Sequence, residues 1–247
     1  MLRTTILCVP RTPAIRHAGE YLSEMGLQVT TVPAPDIRHV LLPVPSFTAG
    51  DGYLAHLLSE LPDDVIISGG NLNCPLLRDY VTVDFLRDPY YLAENAAITA
   101  DCTLQILENK LASPLSEYSV LITGWGRISK CLCRLLEKNG VDITVAVRKE
   151  ADRAMIRALG WHSISIEAAA KCVSEYDVII NTVPAMVLPD IHAHDNALIL
   201  ELASIPGISG ANIMDCRGMP AKMAPDRSGK LIAETFLRLS LSGEVTL

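Results

Sequence analysis

Along the 247-residue chain, short β-branched runs alternate with stretches whose apolar positions recur every three or four residues, the two periods that separate strands from amphipathic helices. Residues 4–9 read as a strand. Thr12-Pro13 then supplies an N-cap and a proline at the first helical position, and Ile15, Leu22 and Met25 form an apolar stripe that stops at Gly26. Residues 28–32 and 39–42 follow as strands, the Pro- and Gly-rich loop 43–52 precedes a helix to about residue 61, and further strands are predicted at 65–68 and around 81–85. Strands separated by helices imply a layer with parallel pairing. Residues 90–111 hold neither Gly nor Pro and carry Leu92, Ala96, Thr99, Thr103, Ile106 and Leu107 at helical spacings, which suits a long helix or a broken pair bridging two domains.

After the linker 112–116 the alternation resumes. An apolar strand at 119–123 runs into Gly124-Trp125-Gly126-Arg127-Ile128-Ser129, and Ile128, Leu132, Leu135 and Leu136 line one face of a helix closed by Asn139-Gly140. Strands at 141–147, 163–166, 177–183 and 197–203 and helices at 151–159 and 167–173 complete a doubly wound sheet. The predicted fold class is α/β with two domains, a flavodoxin-like N-terminal domain and a Rossmann dinucleotide-binding domain with a parallel sheet. Their predicted bounds are 1–100 plus the C-terminal helix in 229–247, and 117–225. The apolar stripe of that last helix, near 229–241, needs a groove and is expected to dock across the bridging helix. A ligand cleft is expected between the domains, at the carboxyl ends of both sheets.

Composition narrows the function. With 49% hydrophobic and 20% charged residues the chain is folded rather than disordered. Lys plus Arg number 21 against 28 Asp plus Glu, and a net charge of −7 argues against a nucleic-acid partner, so an anionic ligand has to be met by a local cluster. No signal peptide or bilayer-length apolar run is found, which predicts a soluble cytoplasmic protein with no membrane partner. The seven cysteines are scattered without a CxxC pair, and His192-Ala193-His194 reads as polar loop, so no metal site is predicted.

The candidate chemistry centres on the glycine-rich turn. A GxGxxG-type pattern between a strand and a helix has a mechanism: Gly124 makes the tight turn, Gly126 lets a pyrophosphate approach the backbone, and the amides opening the helix near Ile128 meet that anion, with Trp125 and Arg127 in the same loop. Ser129 stands where a third Gly or Ala is usual, and its extra atoms are expected to loosen the helix–strand packing slightly. The next strand ends in Arg148-Lys149 where an NAD site places Asp or Glu on the ribose, so the expected cofactor is NADP, its 2′-phosphate gripped by Arg148 and Lys149. Glu150 is expected to enter the following helix and face solvent. Asn181, Thr182, Val183 and Pro184 end a further strand at the edge where the nicotinamide half is expected, and residues 201–207 form another turn there.

Read together, residues 122–128, Ala146-Val147-Arg148-Lys149, Ile180-Asn181-Thr182-Val183-Pro184-Ala185, residues 202–207 and Gly218-Met219-Pro220-Ala221-Lys222 resemble the A-subunit family of dipicolinate synthase. Leu42-Pro43, Gly69-Gly70 and residues 95–101 extend the resemblance into the first half. It implies an NADP-dependent oxidation of a dihydrodipicolinate-type cyclic dicarboxylate to dipicolinate, a sporulation product that chelates calcium, with the flavoprotein-like B-subunit of dipicolinate synthase as partner. A homo-oligomer stays open beside that partner. Residues 1–100 then form the substrate domain and 117–225 the NADP domain. Arg87, Lys222 and Arg217 are candidates for the carboxylates, with Arg87 equally suited to an ion pair with Asp88. Ser46 and Thr48 are candidates for the second carboxylate or for ordinary loop capping, and Thr99 joins the substrate-binding set. Asp101 is the candidate acid/base, with Asn95 and Arg87 beside it in the catalytic set, although Asn95 and Asp101 also suit a helix cap or an exposed helical carboxylate. The alternatives are a degenerate dinucleotide-binding protein that regulates or scaffolds a partner, and a dehydrogenase of shikimate or hydroxy-acid type.

Overall fold

The structure, a computed structural model, describes residues 5–46 and 52–241, and the chain divides into two units, Met1–Ile98 with Pro220–Leu247, and Thr99–Met219. In the first unit β1 (Thr5–Cys8), α1 (Pro13–Glu24), β2 (Gln28–Thr30), β3 (Ile37–Leu41), α2 (Gly52–Ser59), β4 (Ile66–Gly69) and β5 (Val81–Asp84) alternate as the hydrophobic pattern predicts. All pairings are parallel, in the order β2-β1-β3-β4-β5, which is the flavodoxin-type arrangement. The start of α1 follows its sequence signal: Thr12 accepts a hydrogen bond from the Ile15 amide at 3.3 Å, and Pro13 occupies the first turn. Leu54, Leu57 and Leu58 of α2 pack with Leu7, Val40 and Ile67 of the sheet.

The C-terminal helix, Pro225–Ser240, belongs to this unit and starts before the predicted boundary. Its stripe of Leu231, Ile232 and Phe236 is buried, and it packs chiefly on α1 rather than across the bridging helix. Gly229 makes that approach feasible, because a Cβ there would stand 2.6 Å from the Ala14 carbonyl oxygen. Phe236 meets the buried His39 ring of β3 edge-on at 5.6 Å. The long helix predicted at 90–111 is a single element, α3 (Pro89–Lys110).

The second unit contains β6 (Ser119–Thr123), α4 (Arg127–Lys138), β7 (Asp142–Ala146), α5 (Glu150–Ala158), β8 (His162–Ile164), α6 (Ile166–Cys172), β9 (Val178–Asn181), β10 (Leu188–Ile191), β11 (Leu198–Glu201), β12 (Ile208–Gly210) and β13 (Ile213–Asp215). Six of the strands form a parallel sheet ordered β13-β11-β9-β6-β7-β8, the doubly wound plan that reverses direction beside its first strand. The turn after β6 therefore lies at the switch point. Three strands have no counterpart in the hydrophobic pattern. β10 and β12 pair in a separate two-stranded ribbon and β13 extends the main sheet beyond β11, so residues 208–217 hold two strands and no helix.

Candidate functional site

Gly124 leaves β6 with a φ of +93°, and a Cβ there would meet Val183 Cγ2 at 2.7 Å and Thr182 Oγ1 at 2.8 Å, so only glycine makes this turn. Gly126 caps α4, and among the described residues no side chain accepts from the helix's first amides and nothing lies within 4 Å of the Cβ position. That combination leaves a bare backbone cradle at the positive end of a 12-residue helix, which fits a pyrophosphate. Ser129 corrects one expectation. It is fully buried, and its hydroxyl donates to the Gly124 carbonyl at 2.8 Å, so it ties the turn to the helix instead of loosening their packing.

Beside this cradle a pocket of about 160 Å³ is lined by Gly124, Trp125, Arg148, Lys149, Asp152 and Val183, among others. Arg148 and Lys149 are exposed just past the end of β7, where Arg153 donates to the carbonyls of Val147 at 3.1 Å and Arg148 at 3.0 Å and so holds the turn that presents them. Glu150, in the first turn of α5, is paired with Arg153 and Arg157, whose guanidinium hydrogen bonds hold its carboxyl below the usual carboxylate range. Asp152 is the one acidic residue among the described residues lining this pocket, and sequence reasoning passed over it because it sits beyond the strand end, in the first turn of α5. The Trp125 ring packs edge-on against Trp161 at 5.7 Å, with Lys130 Nζ 5.4 Å above it. Arg127 is exposed at the head of α4 and Ile128 is half-buried.

The carboxyl ends of β6, β9 and β11 are joined by a buried polar network. Thr123 Oγ1 donates to Asn181 Oδ1, which also accepts from the Val183 amide at 3.0 Å, and Thr182 Oγ1 donates to the Thr123 carbonyl at 2.7 Å. Asn181 Nδ2 donates to Val183 O at 3.1 Å and to Glu201 Oε1 at 2.7 Å. Glu201 in turn accepts from the amides of Ala203, Gly207 and Ile208 at 2.9, 2.8 and 3.3 Å. Asn181 and Glu201 thus shape the strand-end turns, and Pro184 stays exposed on the 182–187 loop. Glu201 had no role in the sequence reading, although a lone charge in the apolar run Ala-Leu-Ile-Leu-Glu-Leu-Ala is the signal that marks it.

The remaining candidates separate. Ser46 is buried, donating to Pro43 O at 2.7 Å and accepting from the Gly70 amide at 3.1 Å, and Thr48 lies outside the described residues. Arg87 is exposed and forms no salt bridge among the described residues, while Asp88 pairs with Arg238, whose guanidinium holds that carboxyl below the usual range. Along α3, Asn95 and Thr99 are four residues apart on one face, and Asp101 points elsewhere; neither Asn95 nor Asp101 is a cap, since the helix runs through both. Lys222 is exposed on the short helix Met219–Met223, and Arg217 is gripped by Asp215 through contacts of 2.8 and 2.6 Å. Among the described residues no His, Cys, Asp and Glu group could hold a metal ion, and no helix is long and apolar enough to cross a membrane.

No protein-family model matches the chain. It is similar to the dipicolinate synthase A-subunit of Bacillus subtilis (strain 168), with 25% identity over 85% of this chain and 80% of that protein. Its fold is that of the dipicolinate synthase A-subunit from Bacillus halodurans, at a TM-score of 0.80 with 18% identity over 96% of this chain and 99% of the other. The A chain of dipicolinate synthase from Bacillus subtilis gives 0.77, with 20% identity over 96% and 95% of the two chains.

Proposed function

We propose that this chain is an NADP-dependent oxidoreductase of the dipicolinate synthase A type, oxidising a dihydrodipicolinate-type cyclic dicarboxylate to the aromatic pyridine dicarboxylate. The observation that carries the cofactor is that Gly124 and Trp125 of the glycine turn line the same pocket as Arg148 and Lys149, with no carboxylate at the end of β7. Residues 117–225 serve as the NADP domain, and residues 1–100 with the C-terminal helix as the substrate domain. When bound, the nicotinamide ring supplies the hydride acceptor.

The other tasks fall to the protein. The α4 amides hold the pyrophosphate, and Arg148 grips the 2′-phosphate through paired N–H donors while Lys149 adds a mobile charge. Asp152 faces the same pocket and opposes that phosphate, so the two cations have to outweigh it. Asn181, Thr182, Val183 and Pro184 form the wall toward the nicotinamide half. Arg87 binds a carboxylate of the substrate, with Ser46, Thr48, Thr99 and Lys222 in the same binding set. Asp101 takes the proton that leaves as the ring becomes aromatic, and Asn95 orients the reacting ring. A flavoprotein-like second protein completes the enzyme, an assignment that rests on the likeness to a protein named as one subunit of a synthase.

Titration of the wild type and Arg148→Ala with NADP and NAD tests the cofactor. Losing one charge-assisted contact costs about 1.5–3 kcal/mol, so the variant should lose roughly ten- to a hundredfold in NADP affinity and keep its NAD affinity. Equal binding of the two cofactors by the wild type overturns the assignment.

A further inference from the structure

The first unit carries a second pocket, of about 360 Å³, at the free edge of its sheet beside β5. That volume lies at the lower end of the range for small-molecule sites. Arg78 and Arg87 both line it, together with Asn73, Thr82, Tyr80 and Leu72. Neither guanidinium forms a salt bridge among the described residues, whereas Arg38, Arg153, Arg157, Arg217 and Arg238 are all paired with carboxylates. Asp84 also lines the pocket, but its oxygens are occupied by the amides of Asn71, Leu72 and Leu86 at 3.1, 3.1 and 2.9 Å. It builds the wall and leaves the arginines in excess. In a chain of net charge −7, two unpaired guanidinium groups in one concave site are the local cluster that a small dianion requires.

We propose that this pocket binds a small dicarboxylate, with Arg78 and Arg87 each taking one carboxylate and the Leu72–Tyr80 side of the pocket covering the apolar ring between them. Arg78 is thus a second cation beside Arg87 in this pocket, whereas Arg217 is already bound by Asp215. The shape of the site is set by the chain itself. Arg78 closes the 3-10 turn Pro75–Leu77, Arg87 ends the turn Phe85–Arg87, and Asp84 holds the Leu86 amide of the second turn and the Asn71 and Leu72 amides that precede the first. The choice of a pyridine dicarboxylate as ligand rests on the function proposed above, while the two-arginine site does not.

Calorimetric titration of the full chain with pyridine-2,6-dicarboxylate, glutarate and inorganic phosphate separates the two. The wild type should bind the pyridine compound, and Arg78→Ala and Arg87→Ala should each weaken it roughly ten- to a hundredfold while NADP affinity, read on the other unit, stays unchanged. Arg78→Lys should recover part of the loss, because a point charge remains but the bidentate fork does not. Binding of glutarate or phosphate alone, weakened by Arg78→Ala, supports the site and overturns the pyridine substrate. Binding of the pyridine compound that Arg78→Ala leaves intact overturns the site and spares the proposed function, and no binding of any of the three at millimolar concentration overturns the site as well.

Discussion

Glu201 and Asp84 solve the same problem at the carboxyl edges of two different sheets. Each stands at the end of its strand, and each reaches both the turn that follows it and the end of the neighbouring strand: Glu201 holds Asn181 and the 203–208 turn, Asp84 holds the 71–72 turn and Leu86. Their surroundings differ. Glu201 is 3% exposed and splits its acceptors evenly, two donors on each oxygen, whereas Asp84 is half-buried with two donors on Oδ1 and one on Oδ2. A buried carboxylate is tolerated where every lone pair is used, and the turn it holds is then fixed in one shape. At the first sheet the same device is only half-buried, and the charges beside it, Arg78 and Arg87, form no salt bridge among the described residues.

The amide variants exploit that difference. Glu201→Gln puts an NH2 against two buried N–H donors whichever way it flips, so we expect a loss of about 3 kcal/mol in unfolding free energy, measured by urea denaturation. Asp84→Asn orients its NH2 toward Leu72 alone, in a partly hydrated site, and should cost about 1 kcal/mol. A cost for Asp84→Asn equal to that of Glu201→Gln would break the comparison. Asp88 sharpens it, as a carboxylate held by a guanidinium in addition to one amide, that of Tyr91 at 2.7 Å. Its pKa in the fold lies below the unfolded value, so the Arg238 pairing stabilises above the unfolded carboxylate pKa and is lost as the pH falls below about 4. Arg238→Ala should therefore lower Tm slightly at pH 7, and the deficit should shrink progressively as the pH is taken below about 4, in parallel thermal scans. A deficit that does not shrink as the pH falls assigns Arg238 to packing on the Tyr90 ring, which it overlies at 5.0 Å.

Local signals decided much of this molecule. Thr12-Pro13 starts α1 where the pair appears, the Gly- and Pro-free run is one helix, and the Gly124-Trp125-Gly126 turn lies between a strand and a helix as its spacing requires. These features depend on backbone freedom, capping and periodicity, which a few neighbouring residues settle. The strands β10, β12 and β13 were not legible. They are three or four residues long, and they exist because a distant strand offers its edge.

The same division holds for the site. The amino-acid order alone places glycines at a turn and cations at a strand end, and so the chemistry of a dinucleotide site. It does not show that the Ser129 hydroxyl closes onto Gly124, that Asp152 shares the pocket of Arg148, that Glu201 gathers Asn181 and the amides of Gly207 and Ile208, or that Arg78 and Arg87 line one cavity. Those juxtapositions were decided by the tertiary structure: the register of parallel strands sets Asn181 beside Glu201, 20 positions away, and the others, four to nine positions apart, depend on how each turn folds back over its strand end.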